Sequence, residues 1–188
     1  MSPELARVHA HLCGDGSVCI WETKEKDRKR RAVVGYYNKN QKLLDKFRSD
    51  FSKLFGTQMK MRKNREVCVK SIRIFTELKE RFGDFSSRKW RIPLEIKEAN
   101  KEIKLQWMNA FFEDEAYHEK KYNRLKIKSI NDKGLGDLKE MLESLNIRCS
   151  LTGPNCDGSF YLTIPQFDSI PDFESFIKEP VRRGHGNL

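Results

Sequence analysis

The sequence predicts an α+β protein of two pseudo-symmetric halves, each with an antiparallel four-stranded sheet and helices on one face. The first observation is an apolar helix ending in acids, which occurs twice, at residues 4–15 and 102–115. The second is an amphipathic helical pattern that follows each copy and recurs after about 90 residues, too long a period for a solenoid. The third is a series of short alternating segments, which favour half-buried strands. Together these observations indicate a duplicated unit.

The two acid-tipped helices are the centre of the predicted fold. The first copy reads ELARVHAHLCGDG and the second LQWMNAFFEDE. Carboxylates at the end of a buried helix are costly unless a cation lies there, and a divalent metal takes oxygen ligands. The alternative is an amphipathic helix whose last turn reaches water. Superposing the two copies pairs Leu5 with Leu105, Ala10 with Ala110, and Asp15 with Glu115; the alanines would let the two helix backbones approach closely.

In the first half, alternation and turn residues define the remaining elements. Gly56 is a stop signal for the helix before it. In 57–63, Met59 and Met61 alternate with Lys60 and Arg62, which predicts one apolar and one basic face. Strands are predicted at 17–25, 32–37, 57–63 and 66–71, and helices at 41–55 and 74–82.

The second half repeats this order. Lys126 and Lys128 lie opposite Leu125 and Ile127 on the predicted strand 124–129, so its outer face is basic. A short helix and a polar tail are expected after the last strand. The other predicted elements are strands at 116–122, 148–152 and 160–164, a helix at 135–145 and a loop at 153–159. The predicted domains are 1–82 and 101–188, joined by a Gly-, Ser- and Pro-containing linker at 83–100.

Composition limits the class of protein. With 37 Lys and Arg against 27 Asp and Glu, the formal net charge is +10. This charge favours a polyanionic partner, most simply nucleic acid, although an acidic membrane surface also fits charge alone. No run of about 18 apolar residues or signal peptide is evident, so no membrane association is predicted. The five cysteines are odd in number and contain no CxxC pair, which favours reduced thiols in an intracellular, cytoplasmic protein.

Basic residues on the outward strand faces predict a surface that contacts DNA phosphates. The run 24–31 is either a phosphate-contacting loop or a solvated hairpin tip. His9 and His11, two apart on a helix, point to different sides and do not predict a metal site. The predicted DNA contacts are Lys24, Lys26, Arg28, Lys29, Arg30, Arg31, Tyr37, Lys60, Arg62, Lys70, Lys126, Lys128, Arg148 and Tyr161.

With its two acid-tipped helices and its duplication, the chain resembles the LAGLIDADG homing endonucleases of the single-chain, two-repeat, archaeal intron-encoded type. The segments CGDG at 13–16 and FFEDEA at 111–116 look like the two motif ends, and Arg91-Ile92-Pro93 ahead of the second is also family-like. The resemblance covers nearly the whole chain. It implies two αββαββ halves with curved sheets, joined at two packed motif helices in a monomer.

This resemblance implies a site-specific double-stranded DNA endonuclease. Asp15 and Glu115 would be catalytic metal ligands, each serving the cut on one strand, and Gly14 and Asp114 could add further oxygens. The implied cofactor is Mg²⁺, which Mn²⁺ or Ca²⁺ would replace for binding. Metal ions in such a site stabilise the attacking and leaving oxygens of an in-line displacement.

Two departures from the family pattern concern the same site. Ala116 stands in place of the usual closing Gly of the second motif. Asn38 and Ser129 stand where the family carries a basic residue near the end of the second strand of each half. The adjacent Lys39 and Lys128 are candidates to replace that charge, and other possible neighbours are Tyr37, His118 and Lys120. The departures favour the alternative of a cleavage-deficient DNA-binding regulator or an RNA-splicing maturase that binds intron RNA.

Overall fold

A computed structural model describes residues 1–23, 30–62 and 65–166. The first half contains α1 (Pro3–Cys13), β1 (Gly16–Glu22), β2 (Arg30–Tyr37), α2 (Gln41–Phe55), β3 (Lys60–Arg62), β4 (Glu66–Lys70) and α3 (Ile72–Phe82). After α4 (Leu94–Lys97), the second half contains α5 (Lys101–Glu115), β5 (Ala116–Glu119), β6 (Arg124–Ser129), α6 (Asp132–Glu143), β7 (Ser150–Thr152) and β8 (Phe160–Pro165). The helix and tail predicted after β8 lie outside the described residues.

The two sheets share one topology. In the described residues the first has strand order β1-β2-β4-β3 and the second β5-β6-β8-β7, each four-stranded, with antiparallel neighbours throughout. The predicted α+β class with two pseudo-symmetric halves is therefore confirmed. The strand predicted at 116–122 is shorter, because the chain turns into a 3₁₀ helix at Lys120–Tyr122 and then into the left-handed conformation at Asn123, φ 44°. Asn tolerates that conformation better than most residues do.

Side-chain caps begin the main helices. Ser2 accepts a hydrogen bond from the backbone N–H of Leu5 at 3.2 Å, and Asn100 caps α5 in the same way through Ile103 at 3.0 Å. Such caps satisfy amide groups that have no partner within the helix. At its far end α2 stops at Gly56 with φ 62°, the left-handed conformation that glycine adopts without strain.

Helices α1 and α5 pack side by side in the core, which is continuous across both halves in the described residues. Arg7 Nη1 donates to Gln106 Oε1 at 2.8 Å, and further along the pair Trp107 Nε1 donates to His9 Nδ1 at 2.9 Å. The contacts advance together along both helices, so the helices run in the same direction. Their acid-bearing ends therefore lie at the same end of the molecule.

The segment 83–100, predicted as a linker, is attached to the second half. Trp90 is 2% exposed, and its backbone oxygen accepts a hydrogen bond from Asn131 Nδ2 at 2.7 Å. Arg91 makes two hydrogen bonds to Asp137 of α6, at 2.6 and 2.8 Å. These contacts fix the path by which the chain enters α5. The division into two domains and a linker stays a prediction.

All five cysteines carry free thiols. No helix in the described ranges has both the length and the apolar composition that crossing a membrane requires.

Candidate active site and nucleic-acid interface

Each predicted catalytic acid lies where a motif helix meets the first strand of its half. The motif helix predicted at 4–15 ends earlier, at Cys13, so Asp15 lies in the turn before β1. Its backbone oxygen accepts a hydrogen bond from the N–H of Tyr37 at 3.1 Å, which continues the ladder between β1 and β2. Glu115 is the last residue of α5, directly before β5. Both acids are half-buried.

The ends of the two motif helices touch at Gly14 and Asp114, the residues that precede the two acids. A Cβ placed on Gly14 would lie 2.9 Å from Cβ and 2.9 Å from Oδ2 of Asp114. A real Cβ does not tolerate such contacts, so the approach requires glycine on the α1 side. This contact brings Asp15 and Glu115 to one helix crossing.

Asp114 belongs to a buried polar cluster, the Asp114 cluster, made with Tyr36, Asn38 and His11. The residue is 5% exposed and its Oδ1 accepts from Tyr36 Oη at 2.6 Å and from Asn38 Nδ2 at 3.2 Å. Its Oδ2 lies 2.8 Å from Nδ1 of His11. Burial raises the pKa of Tyr36, and the charge of Asp114, its hydrogen bond and the charge of Asp15 raise that pKa further. The predicted role of Asp114 as a metal ligand stays a prediction, and this geometry favours a structural role.

The residues in place of the family's strand-end basic group have other partners. Asn38 donates to Tyr36 Oη at 3.0 Å, and its Oδ1 accepts from the N–H of Asn40 at 2.8 Å. The hydroxyl oxygen of Ser129 accepts from the N–H of Asn131 at 3.1 Å. Asn38 and Ser129 therefore serve the chain's own turns and the Asp114 cluster.

The sheet registers show which residues face the two acids. Gly16 pairs with Tyr36 in the first half and Ala116 with Ile127 in the second. One step further along each ladder, Tyr37 is opposite Asp15 and Lys128 is opposite Glu115. Tyr37 and Lys128 are therefore equivalent residues of the two halves.

The departure at Ala116 has a local explanation. A Cβ on Gly16 would lie 2.3 Å from Cα and 2.6 Å from the carbonyl oxygen of Leu12, so only glycine fits there. In the second half α5 continues through Glu115, and Ala116 has extended backbone angles, φ −84° and ψ 145°. Any residue adopts these angles, so the second motif does not require a closing glycine.

The outer face of the first sheet carries five of the ten phosphate contacts predicted in that half, namely Arg31, Tyr37, Lys60, Arg62 and Lys70. Antiparallel pairing puts Arg31 beside Trp21, Lys70 beside Val33 and Lys60 beside Cys68 on this face. Arg62 lies there too and makes a 3.8 Å ion pair with Glu66. Arg30, Arg31, Tyr37, Lys60, Arg62 and Lys70 are all exposed. The predicted contacts Lys24, Lys26, Arg28 and Lys29 lie outside the described residues.

On the second sheet the outward lysines are already paired with acids. Lys128 and Tyr161 are register partners, and the Nζ atoms of Lys128 and Lys126 lie 5.8 and 5.6 Å from the centre of the Tyr161 ring. Lys126 pairs with Glu119 at 3.0 Å and Lys128 with Asp157 at 2.6 Å. Arg148, just before β7, is exposed. DNA phosphates would compete with Glu119 and Asp157 for these lysines.

The donor set at the helix crossing fits a hard divalent cation with a partly aqueous shell. Among the described residues, no three His, Cys, Asp or Glu side chains form a group that could hold a metal ion. Asp15 and Glu115 offer carboxylates at the crossing. Mg²⁺ commonly takes one or two carboxylates and completes its shell with water and substrate phosphates. A metal at this site would therefore take part of its shell from water and from DNA phosphates.

The Asp114 cluster and the Lys128–Asp157 pair were missed by sequence reasoning. The cluster joins residues of α1 and α5 with Tyr36 of β2 and Asn38 just beyond it, and no local pattern connects these segments. The one available signal was a polar His11 within the apolar face of a helix.

No protein-family model matches the sequence. A solved structure of I-DmoI in complex with DNA and Mn is similar, with a TM-score of 0.68 and 18% identity over 94% of this chain and 97% of that chain. A structure of mesophilic variants of the homing endonuclease I-DmoI gives a TM-score of 0.66 and 20% identity over 88% and 84%. The N-terminal LAGLIDADG domain of WhiA gives 0.53 and 12% over 97% and 86%. At these identities the likeness concerns the fold alone.

Proposed function

Because the chain has the two-repeat LAGLIDADG fold, we propose that it is a homing endonuclease that binds double-stranded DNA and hydrolyses one phosphodiester bond in each strand with Mg²⁺. The observation that carries the proposal is the contact between Gly14 and Asp114, which brings Asp15 and Glu115 together. Similar structures of I-DmoI contain DNA with Mn or Ca, or were obtained with target DNA and Mg.

In this proposal the outer faces of both sheets bind the duplex. A two-stranded β-ribbon fits the major groove, and basic side chains on it contact the phosphates on either side. Lys60 and Lys70 supply these contacts in the first half, and Lys126 and Lys128 in the second. The net charge of +10 supplies long-range attraction to the polyanion. A monomer suffices, because one chain contains both sheets.

Asp15 and Glu115 would hold the divalent ions between the two sheets, one acid for each strand. A bound metal ion lowers the pKa of a water molecule and neutralises charge that develops on the phosphate. The protein holds the acids in place through the helix crossing, and the Asp114 cluster fixes the end of α5 directly before Glu115. The scissile phosphates would lie over the crossing, where the two halves meet.

The proposal is tested by strand-specific cleavage with Asp15→Asn and Glu115→Gln. The target is first found by incubating wild type and Mg²⁺ with a randomised duplex library and sequencing the cut products. Each substitution keeps shape but weakens a metal ligand, so cutting of one strand should fall by roughly 100-fold or more, with DNA affinity unchanged or raised.

Asp45→Asn, on the exposed face of α2, is the matched control, because it removes one carboxylate charge that pairs with Arg48. It should leave both cuts intact. Undiminished cutting of both strands by the Asp15→Asn, Glu115→Gln double variant would end the assignment of these acids.

A DNA-binding regulator without cleavage is the second candidate. It is favoured by the uncharged Asn38 and Ser129, whose side chains bind within the protein. A wild type that binds a selected duplex tightly but cuts neither strand with Mg²⁺ or Mn²⁺ would establish this second function.

A further inference from the structure

The first hairpin of each sheet extends a different distance from the helix crossing. Strand β1 pairs with β2 over seven residues, from Gly16 to Glu22. Strand β5 pairs with β6 over only four, from Ala116 to Glu119. Both ladders begin at equivalent residues beside the crossing. Because a strand rises about 3.3 Å per residue, the first hairpin extends about 10 Å farther than the second.

The second hairpin is shorter because its chain turns at Lys120–Tyr122, where a 3₁₀ helix replaces the strand. The centre of the Tyr122 ring lies 4.5 Å from Cζ of Arg124 and 5.2 Å from Nζ of Lys121. The aromatic side chain at this tip therefore has cationic partners within its own hairpin. In the first half the residue that corresponds to Lys121 is Trp21, which still lies on the strand.

Trp21 is the exposed aromatic residue of the additional part of the first hairpin. It is 44% exposed, whereas Trp90 and Trp107 are 2% and 0% exposed. Its side chain lies on the outer face, because it is an odd number of residues from Val18, whose side chain packs against the core. Leaving a large apolar side chain in water is unfavourable, and Trp is enriched among the residues that dominate binding.

Basic side chains lie beside this indole. Arg31 is directly opposite Trp21 in the ladder, so their Cβ atoms are about 5 Å apart on one face. Lys70 lies on the same face, opposite Val33. Both basic residues are exposed. Such a surface suits a DNA strand, because the phosphates would bind the cations while the ring packs against sugars and base edges.

We propose that Trp21 contacts DNA and that the target site is asymmetric, extending about two to three base pairs farther from the cut under the first sheet than under the second. The difference follows from the additional 10 Å or so of hairpin and from the rise of DNA, about 3.4 Å per base pair, along a groove that winds around the axis. The inference rests on the proposed function, which assigns the outer sheet faces to the duplex.

The test is equilibrium binding to the selected target, shortened one base pair at a time from either end, without Mg²⁺ so that the duplex stays intact. Affinity should begin to fall at a greater distance from the cut on one end than on the other. Trp21→Ala should weaken binding to the full duplex by roughly 10-fold. This loss should disappear when the last base pairs of the longer end are removed, and should persist when the shorter end is trimmed.

Tryptophan fluorescence gives a second measurement of the same contact. The full target should shield wild type from quenching by acrylamide, and a target without its longer end should not, because the two other tryptophans are buried already. Ile72→Ala is the matched control, since Ile72 is 46% exposed on α3, which packs against the opposite face of the first sheet. It should bind every duplex as wild type does. Thermal unfolding checks that each variant is folded.

Three results would overturn this inference and leave the proposed cleavage standing. They are an equal extent of contact on both sides of the cut, a Trp21→Ala protein that binds as wild type does, and a loss in that variant that is the same on every shortened duplex. A wild type that binds a selected duplex but cuts neither strand would overturn the proposed function alone, because the effect of trimming on Trp21→Ala requires no cutting. A wild type that binds no duplex would overturn both.

Discussion

His9 is a buried, neutral histidine between the two motif helices. It is 1% exposed, and its Nδ1 accepts a hydrogen bond from Trp107 Nε1 at 2.9 Å. Burial lowers the pKa of His9 to about 3. An unfolded chain protonates this histidine near its ordinary pKa of about 6.5, so protons bind the unfolded state first.

The lowered pKa of His9 predicts that acid destabilises the fold within a defined pH range. The contribution of neutral His9 to the free energy of unfolding is fully present above about pH 6.5. It is lost as pH falls towards about 3, at up to about 1.4 kcal/mol per pH unit. His9→Gln keeps an acceptor for Trp107 but does not titrate, so the free energy of unfolding should depend less on pH. Urea unfolding of both proteins between about pH 7 and about pH 5 measures the difference. Parallel curves for the two proteins would show that His9 does not titrate as its burial implies.

At the scale of elements, the Asp114 cluster connects α1 and α5 to the end of β2. Asp114→Ala would leave the buried donors of Tyr36, Asn38 and His11 without their shared acceptor. Each unsatisfied buried group costs about 1–3 kcal/mol, so we expect a loss of about 3–5 kcal/mol in the free energy of unfolding.

Chemical denaturation of Asp114→Ala beside Asp45→Ala tests this expectation. The Asp45 side chain is 56% exposed and forms a 3.6 Å ion pair with Arg48. Its removal should change stability by less than about 0.5 kcal/mol. Equal effects of the two substitutions would refute the structural role of Asp114.

Elements that are set by local signals were predicted closely. Helix α2 has the predicted bounds, because its amphipathic pattern lies between the Asn40 cap and the left-handed Gly56. By contrast, the strand predicted to begin at residue 57 begins only at Lys60, because its length depends on pairing with β4. Strand β5 stops at Glu119 for a similar reason, since Asn123 turns the chain.

In the candidate site, too, features set by local sequence could be predicted and features set by distant contacts could not. The equivalence of Asp15 and Glu115 could be predicted from the duplicated helices, and the alignment of Asn38 with Ser129 agrees with the sheet registers. The partners of Asp114 and Lys128 could not be predicted, because they come from segments distant in sequence. Only the folded chain shows that Asn38 donates to a buried carboxylate instead of facing a phosphate.

At the scale of the whole molecule, the charge on the two sheet faces predicts salt-dependent binding. If about 6 phosphates are neutralised, the slope of log K against log salt concentration should be about −5. Glu119 and Asp157 hold Lys126 and Lys128 in the free protein, so Glu119→Gln with Asp157→Asn should steepen the slope by roughly 1 to 2.

Fluorescence anisotropy with a labelled duplex at several KCl concentrations measures both slopes. Glu143→Gln, which frees Lys139 on α6 instead, should leave the slope unchanged. A slope near zero for wild type would exclude the basic sheet faces as the binding surface.

The contact between Gly14 and Asp114 also limits how this molecule could be divided. In a homodimer of two second halves, Asp114 would also occupy the place of Gly14. A Cβ there would lie 2.9 Å from Cβ of the other Asp114, which is too close, and the two carboxylates would be buried against each other. Two copies of the first half would leave Tyr36 and Asn38 without the acceptor that α5 supplies. Each half is therefore specific for the other. A chimera that replaces one half must also change residue 14 and those members of the Asp114 cluster that lie in the retained half.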